Sequence, residues 1–164
     1  MHRFNGIWSR IVIEGVMITP LRQIADERGK VMHMLRVDDE HYTQFGEIYF
    51  SCIYPGIVKA WKLHKKMTMN CVVPQGQVKF VLYDDRKDSH SRGEIQEFLM
   101  GPDHYFLLTV PPMIWTGFQC LGGQSAILAN CASLPHTSNE YECRDMRDPS
   151  IPYEWKFQDD GLGL

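Results

Sequence analysis

The stretch that decides the fold is QGQVKFVLYDDR, at residues 75–86. It begins with the turn-forming pair Gln75-Gly76 and ends with three consecutive charged residues. Between them lies VKFVLY, residues 78–83, which is rich in the β-branched and aromatic side chains that are typical of strands. An apolar run of this kind next to a turn signal predicts a β-strand.

The same pattern recurs along the chain. Short apolar or alternating runs lie at residues 11–13, 31–35, 48–52, 78–83, 106–110 and 126–130. Turn signals such as Pro55-Gly56 and Gly122-Gly123 separate them. Many short strands at this spacing predict an all-β sandwich or barrel. Helix is expected for no more than a turn or two, at residues 20–25 and 39–44.

Length and composition limit the possible functions. With 164 residues, the chain is expected to form one domain over residues 1–164, with a tail that frays from about residue 156. A net charge of -3 argues against nucleic acid or a membrane surface as the partner. The first residues lack the apolar run of a signal peptide, and no window reaches the length of a membrane span. We therefore expect a cytoplasmic protein.

The cysteines give no sign of a disulfide framework or a zinc site. They are odd in number, widely spaced and mostly set among apolar residues. We expect them to be buried thiols. The five are Cys52, Cys71, Cys120, Cys131 and Cys143.

Residues 59–66, KAWKLHKK, place cations and one imidazole in a strand-like pattern. Side chains two apart on a strand share a face, so Lys62 and His64 are expected to point the same way. On a face that lines a barrel, the pair can remove a proton next to a carbonyl group. His64 as base with protonated Lys62 is the easier assignment, because a lysine base must first lose its charge. The alternatives are a neutral Lys62 base and a solvated edge without catalytic role.

Four segments carry a resemblance to a known family. Residues 26–29 (DERG) are similar to its D-x-R-G turn, and residues 56–62 (GIVKAWK) to its G-V-x-R-G-L-H segment. Residues 85–93 (DRKDSHSRG) resemble its D-x-R-x-x-S-P-T-x-G element, and residues 110–118 (VPPMIWTGF) its I-P-x-G-F-x-H-G-F segment. In this order, they resemble the dTDP-4-dehydrorhamnose 3,5-epimerases, small cupin-type jelly-roll proteins that act on nucleotide-linked 4-keto sugars.

The resemblance implies a cupin-type jelly roll that epimerises an NDP-4-keto-6-deoxy sugar at C3, C5 or both, for glycan precursor synthesis and without a cofactor. By the motif match, Lys62 occupies the position of the family's base, with His64 two residues further on. His136 falls near the position of the tyrosine that supplies a proton. Thr116 stands in place of the histidine of H-G-F and is a candidate substrate contact. Asp145 is the candidate for the aspartate that orients the base.

The resemblance also implies substrate-binding residues. Arg28, in the D-x-R-G-like turn, is suited to a bidentate phosphate contact. Lys59 replaces the arginine of R-G-L-H and can neutralise a phosphate, but sharing a pocket with Lys62 requires a bulge in the strand. Three tyrosines are possible proton donors if the family's tyrosine has moved, and the first is also a candidate substrate contact: Tyr49, Tyr105 and Tyr141.

A homodimer is expected, because the apolar segment at residues 11–13 can pair with a neighbouring subunit, and family members pair in this way. Arg28 is then expected near the neighbour's pocket. Two other classes of function stay open at this point. A metal-dependent cupin is disfavoured, since the ammonium of Lys62 would stand at a ligand position, so no metal is expected. A non-catalytic nucleotide-sugar-binding relative is the main alternative, because several catalytic positions have changed.

Overall fold

The computed structural model describes residues 11–157, which form β-strands joined by turns and loops. The strands are β1 Met17–Pro20, β2 Gln23–Asp26, β3 Gly29–Met32, β4 Glu47–Ile53, β5 Val58–His64, β6 Met69–Gln75, β7 Gln77–Asp84, β8 Ile95–Met100, β9 Phe106–Val110, β10 Ile114–Leu121, β11 Ala126–Ala132 and β12 Tyr141–Cys143. No helix occurs in these residues. The helical turn expected at 20–25 is the end of β1 and the start of β2, and the segment at 39–44 contains one hydrogen-bonded turn, in which Tyr42 N donates to Asp39 O at 3.0 Å.

Ten of these strands form two five-stranded antiparallel sheets. One sheet has the order β1-β9-β6-β11-β4, and the other has the order β12-β5-β10-β7-β8. The remaining strands, β2 and β3, form a separate hairpin. Neighbours within each sheet are mostly far apart in sequence, as in a jelly roll, which confirms the all-β, cupin-type prediction.

The core lies between the two sheets. Alternate residues of β7, among them Phe80 and Leu82, pack there with Leu108 and Leu128 of the other sheet. The opposite face of β7 is buried as well, because Val81 packs in a second cluster with Trp155 of the C-terminal segment. Burial on both faces accounts for the almost continuous apolar run at residues 78–83.

Both ends of the described chain differ from expectation. Residues 11–13 are not a strand: Val12 N donates to Gln96 Oε1 at 3.1 Å, and Ile13 is buried in the core. Near the other end, Lys156 is held by its carbonyl oxygen, which accepts from Gln119 Nε2 at 2.9 Å. Lys156 is therefore held in place, and the rest of the predicted frayed tail, at residues 158–164, lies outside the described part of the chain.

The cysteines are all free thiols, but only two of them are buried. Cys71 and Cys120 lie in the core, Cys131 is half-buried, and Cys52 and Cys143 are exposed. The expectation of buried thiols is thus wrong for the last two, which lie on edge strands. Over residues 11–157, the structure contains no helix long and apolar enough to span a membrane.

Candidate active site

An irregularity in β5 brings three candidate residues to one face of the sheet. Lys62 pairs with Thr116 of β10, while Lys59 pairs with Phe118. Three steps along β5 therefore match two steps along β10, which is the bulge that a pocket shared by Lys59 and Lys62 required. Phe118 packs against the core between the sheets, so Lys59 and Lys62 lie on the inner face, with His64 two residues further on.

His64 forms a buried pair with Glu140, from the loop before β12. Its Nδ1 lies 2.6 Å from Glu140 Oε2, and both side chains are under 10% exposed, at 3% and 7%. The other carboxylate oxygen, Oε1, accepts from the backbone N of Lys66 at 2.9 Å and of Met67 at 2.8 Å. Glu140 thus accepts three hydrogen bonds that fix its position. By accepting from Nδ1–H of His64, its carboxylate fixes the orientation of the imidazole.

This arrangement leaves His64 Nε2 with a free lone pair. Because Nδ1–H donates to the carboxylate, the neutral ring carries no proton on Nε2. Nε2 is buried and has no hydrogen-bond partner among the described residues. A buried polar atom without a partner is unusual in a folded protein, and a free lone pair at this position is able to accept a proton.

Burial keeps His64 neutral. Burial lowers the pKa of His64 below its ordinary value, and the nearby charge of Lys62 acts in the same direction, whereas the hydrogen bond to Glu140 opposes it. Burial raises the pKa of Glu140, but the hydrogen bonds from His64 and the two backbone N–H groups outweigh it and leave that pKa below the usual range. At neutral pH the pair is therefore a neutral imidazole on a carboxylate, the form in which a histidine accepts a proton.

Three of the predicted catalytic residues lie close to the ring of Tyr141. The Nζ of Lys62 lies 4.6 Å from the centre of its ring. The His136 ring packs at 4.6 Å and 35° from it, and the His64 ring lies 6.4 Å away. His136 and His64 are 6.1 Å apart, centre to centre. The structure therefore brings together Lys62, His64 and His136 with Tyr141, one of the three tyrosines considered as proton donors; their catalytic roles stay predictions.

Asp145 does not reach His64. Its Oδ1 accepts from Arg147 N at 2.9 Å in an exposed turn after β12. The carboxylate that orients His64 is Glu140, which the sequence reasoning missed. Glu140 directly precedes Tyr141, and Tyr141 pairs with His64 across β12 and β5. Only this pairing, which the sequence does not show, brings the carboxylate to the imidazole.

The predicted substrate contacts are spread over the structure. Thr116 is buried, and its Oγ1 donates to Lys62 O at 2.9 Å, which ties β10 to the strand that carries the site. Lys59 is exposed, and its Nζ donates to Cys52 O on β4 of the other sheet at 3.0 Å. Tyr49 lies on β4 of the opposite sheet, where its hydroxyl accepts from Asn130 Nδ2 at 2.9 Å. Their roles in substrate binding stay predictions.

Arg28 lies at the tip of the β2–β3 hairpin, away from His64. Its side chain is 82% exposed and forms an ion pair with Asp26 at 2.6 Å. Within a single chain, Arg28 is therefore an exposed residue of a turn.

Residues 11–157 contain no group of three His, Cys, Asp or Glu side chains placed to hold a metal ion.

Fold and site together define a class of protein: a jelly roll with a buried histidine–glutamate pair and a lysine on the inner face of one sheet, an arrangement suited to proton transfer next to a carbonyl group. The family follows from comparison with known sequences. The family described as dTDP-4-dehydrorhamnose 3,5-epimerase matches residues 10–162. The chain belongs to this family, which confirms the resemblance carried by the four motifs and assigns the protein to the sugar-nucleotide epimerases.

Similar proteins include two with roles in polysaccharide synthesis. The chain is 32% identical over 144 residues to Agl13 of Haloferax volcanii, a probable low-salt glycan biosynthesis epimerase, covering 87% of this chain and 89% of that protein. It is 35% identical over 149 residues to the spore coat polysaccharide biosynthesis protein SpsL of Bacillus subtilis, covering 90% and 99%. A dTDP sugar isomerase from Desulfovibrio desulfuricans has a crystal structure with a TM-score of 0.86 and 45% identity, covering 88% and 92%.

Proposed function

We propose that the protein epimerises a nucleotide-linked 4-keto-6-deoxy sugar at C3, C5 or both, in the synthesis of a glycan precursor. The observation that carries the proposal is the buried His64–Glu140 pair, which leaves His64 Nε2 free on the face that also carries Lys62. Membership of the epimerase family supports the reaction. The names of the similar proteins, which refer to glycan and spore-coat polysaccharide synthesis, support the biological role.

The proposed reaction begins with proton removal beside the C4 keto group. His64 Nε2 takes the proton from the carbon, and the electron pair of the C–H bond moves to form an enolate with its negative charge on O4. The ammonium group of Lys62 stabilises this charge as it develops, which lowers the barrier more than it strengthens substrate binding. Glu140 stabilises the imidazolium that His64 becomes. A proton delivered to the other face of the carbon then inverts its configuration.

We further propose that the protein works as a homodimer. In the β2–β3 hairpin, Ile24 lies directly opposite Val31, and these side chains are 55% and 61% exposed. A cross-strand apolar pair in a hairpin outside both sheets is a surface suited to a second subunit. The same docking would carry Arg28, at the hairpin tip, towards the neighbour's substrate, where its guanidinium could bind a phosphate together with Lys59.

Sedimentation at micromolar concentration tests the assembly. We expect a dimer for the wild type and a monomer for the double variant Ile24→Lys/Val31→Lys. Lys30→Ala, in the same hairpin, is the matched control and should stay dimeric. A wild-type monomer would contradict the proposed dimer and the placement of Arg28.

A cytoplasmic location of the protein also stays a prediction.

The reaction itself is tested by isotope exchange. The protein is incubated with dTDP-4-keto-6-deoxyglucose in deuterium oxide, and deuterium at C3 and C5 is measured by NMR. We expect exchange in the wild type, and a loss of about 10²- to 10⁴-fold in His64→Asn, the usual contribution of a general base. Lys62→Met should also slow exchange by removing the charge that holds the enolate. His104→Asn, an exposed histidine outside the site, is the control and should exchange normally.

The same experiment separates the alternatives. Nucleotide-sugar binding without any exchange in the wild type would favour the non-catalytic relative. If Lys62→Met were far more damaging than His64→Asn, the base would be Lys62. If neither substitution altered exchange, the site would lie elsewhere in the barrel.

A further inference from the structure

A tyrosine and an asparagine face the proposed base from the opposite sheet. Tyr49 on β4 pairs with Asn130 on β11, and Asn130 is fully buried. Tyr49 is half-buried and packs against the core between the sheets. Glu47, two residues before Tyr49 and on the same strand face, accepts from His136 N at 2.8 Å. Since the His136 ring lies 6.1 Å from that of His64, Tyr49 is at the same end of the barrel as the base.

The hydrogen bonds of Asn130 determine which way the Tyr49 proton points. Asn130 Oδ1 accepts from the backbone N of Asn70 at 2.9 Å. A backbone N–H can only donate, so the amide oxygen must lie there and the amide nitrogen must face Tyr49. Asn130 Nδ2 therefore donates to the Tyr49 hydroxyl, at 2.9 Å. The phenol accepts this bond, and its own proton is left for another acceptor.

The other two candidate tyrosines lie in less suitable positions. Epimerisation requires the acid on the face of the carbon opposite to the base. Tyr141 is paired directly with His64 across β12 and β5, so it belongs to the same sheet as the base. Tyr105 packs with the separate cluster of Val72 and Leu107, away from the core between the sheets. Of the three, only Tyr49 lies on the sheet opposite His64 and packs against the core between the sheets.

We infer that Tyr49 is the acid that completes the inversion and that Asn130 is its positioning residue; this inference rests on the epimerase function proposed above. After His64 has taken the proton, the enolate electron pair forms a new C–H bond with the Tyr49 proton on the opposite face, and the C4 carbonyl is restored. Tyr49 is left as a phenolate that accepts the bond from Asn130 Nδ2, and His64 as an imidazolium. Proton exchange with solvent resets both groups.

The electrostatics of the site agree with this role. Burial raises the pKa of Tyr49, the hydrogen bond from Asn130 lowers it in part, and the charge of Glu140 raises it further. Tyr49 therefore holds its proton at neutral pH, while His64 is neutral and able to accept one. An acid and a base held in opposite protonation states by their surroundings are what a two-base epimerisation requires.

The test measures exchange and inversion separately. With dTDP-4-keto-6-deoxyglucose in deuterium oxide, NMR reports deuterium incorporation with retained configuration as well as the epimer formed. In Tyr49→Phe, His64 can still remove a proton and return a deuteron to the same face. We expect exchange within about tenfold of the wild type, but epimer formation reduced by about 10²- to 10⁴-fold. Tyr105→Phe, outside the core between the sheets, is the matched control and should keep the wild-type ratio of inversion to exchange, while Tyr141→Phe tests the rival acid.

A second variant tests the positioning residue. Asn130→Asp keeps an acceptor oxygen for Asn70, but its second oxygen accepts from Tyr49 and turns the phenol proton away from the substrate. We expect the ratio of inversion to exchange to fall as it does in Tyr49→Phe, with thermal melts confirming that each variant is folded. The inference is overturned if Tyr49→Phe inverts normally, if it loses exchange and inversion equally, or if Tyr141→Phe alone separates them. A wild type without exchange would instead refute the proposed function.

Discussion

Replacing Glu140 with glutamine should disable the base while leaving the fold intact. In the wild type, Glu140 Oε1 accepts from two backbone N–H groups at 2.9 and 2.8 Å, and Oε2 lies 2.6 Å from His64 Nδ1. Glutamine must keep its oxygen on the backbone donors, so its NH₂ group turns towards His64. Nδ1 then has to accept, and the ring proton moves to Nε2. The lone pair that takes the substrate proton is lost.

The expected magnitude follows from this change of tautomer. Losing general-base catalysis slows the exchange reaction by about 10²- to 10⁴-fold. That corresponds to roughly 3 to 5 kcal/mol in the activation barrier. The carboxylate that stabilises the imidazolium is lost as well, so the upper part of this range is expected. Substrate affinity should change little, because Glu140 is buried behind His64.

The assay is deuterium incorporation at C3 and C5, with nucleotide-sugar binding measured by calorimetry. Glu142→Gln is the matched control: Glu142 is 54% exposed, and its only ion pair is a 3.7 Å contact with Lys65 in the described part of the chain. The control should exchange like the wild type, since an exposed pair of this kind contributes little. Exchange in Glu140→Gln within about tenfold of the wild type would refute the reasoning, as would an equal loss in both variants.

Four further predictions concern the pH dependence of the reaction, the pH dependence of stability, packing and metal. The pKa of His64 lies below its ordinary value of about 6.5. The exchange rate should therefore rise with increasing pH and reach its plateau at a pH lower than an ordinary histidine would require. His64 and Glu140 both bind protons more tightly when unfolded, so urea midpoints should fall as the pH drops from 7 to 4, and less so in His64→Asn. Gly117→Ala would place a Cβ 2.7 Å from Trp155 and should cost about 1 to 3 kcal/mol in the free energy of unfolding, while Gly123→Ala, with nothing within 4 Å, should be neutral in thermal melts. Dialysis against a chelator should leave exchange unchanged, since the proposed chemistry needs no metal ion.

The strands could be predicted where a run of consecutive apolar or alternating residues reflects the burial of the strand. The runs at 48–52, 78–83, 106–110 and 126–130 lie within β4, β7, β9 and β11. The run at 11–13 is equally apolar but is not a strand: of its three residues only Ile13 is buried, and no strand among the described residues pairs with it. Apolar character alone therefore does not make a strand, because strand formation requires a partner that only the fold supplies.

The site could likewise be predicted only where its residues are close together in the sequence. Lys62 and His64 could be placed on one face because they are two residues apart on one strand, and the need for a bulge at Lys59 followed from the same periodicity. Which of Lys62 and His64 is the base could not be decided in this way. The decision depends on Glu140, whose hydrogen bonds to His64, Lys66 and Met67 each cross more than 70 positions of sequence. Because that carboxylate occupies Nδ1 and leaves Nε2 free, the structure favours His64 as the base and leaves Lys62 as the cation.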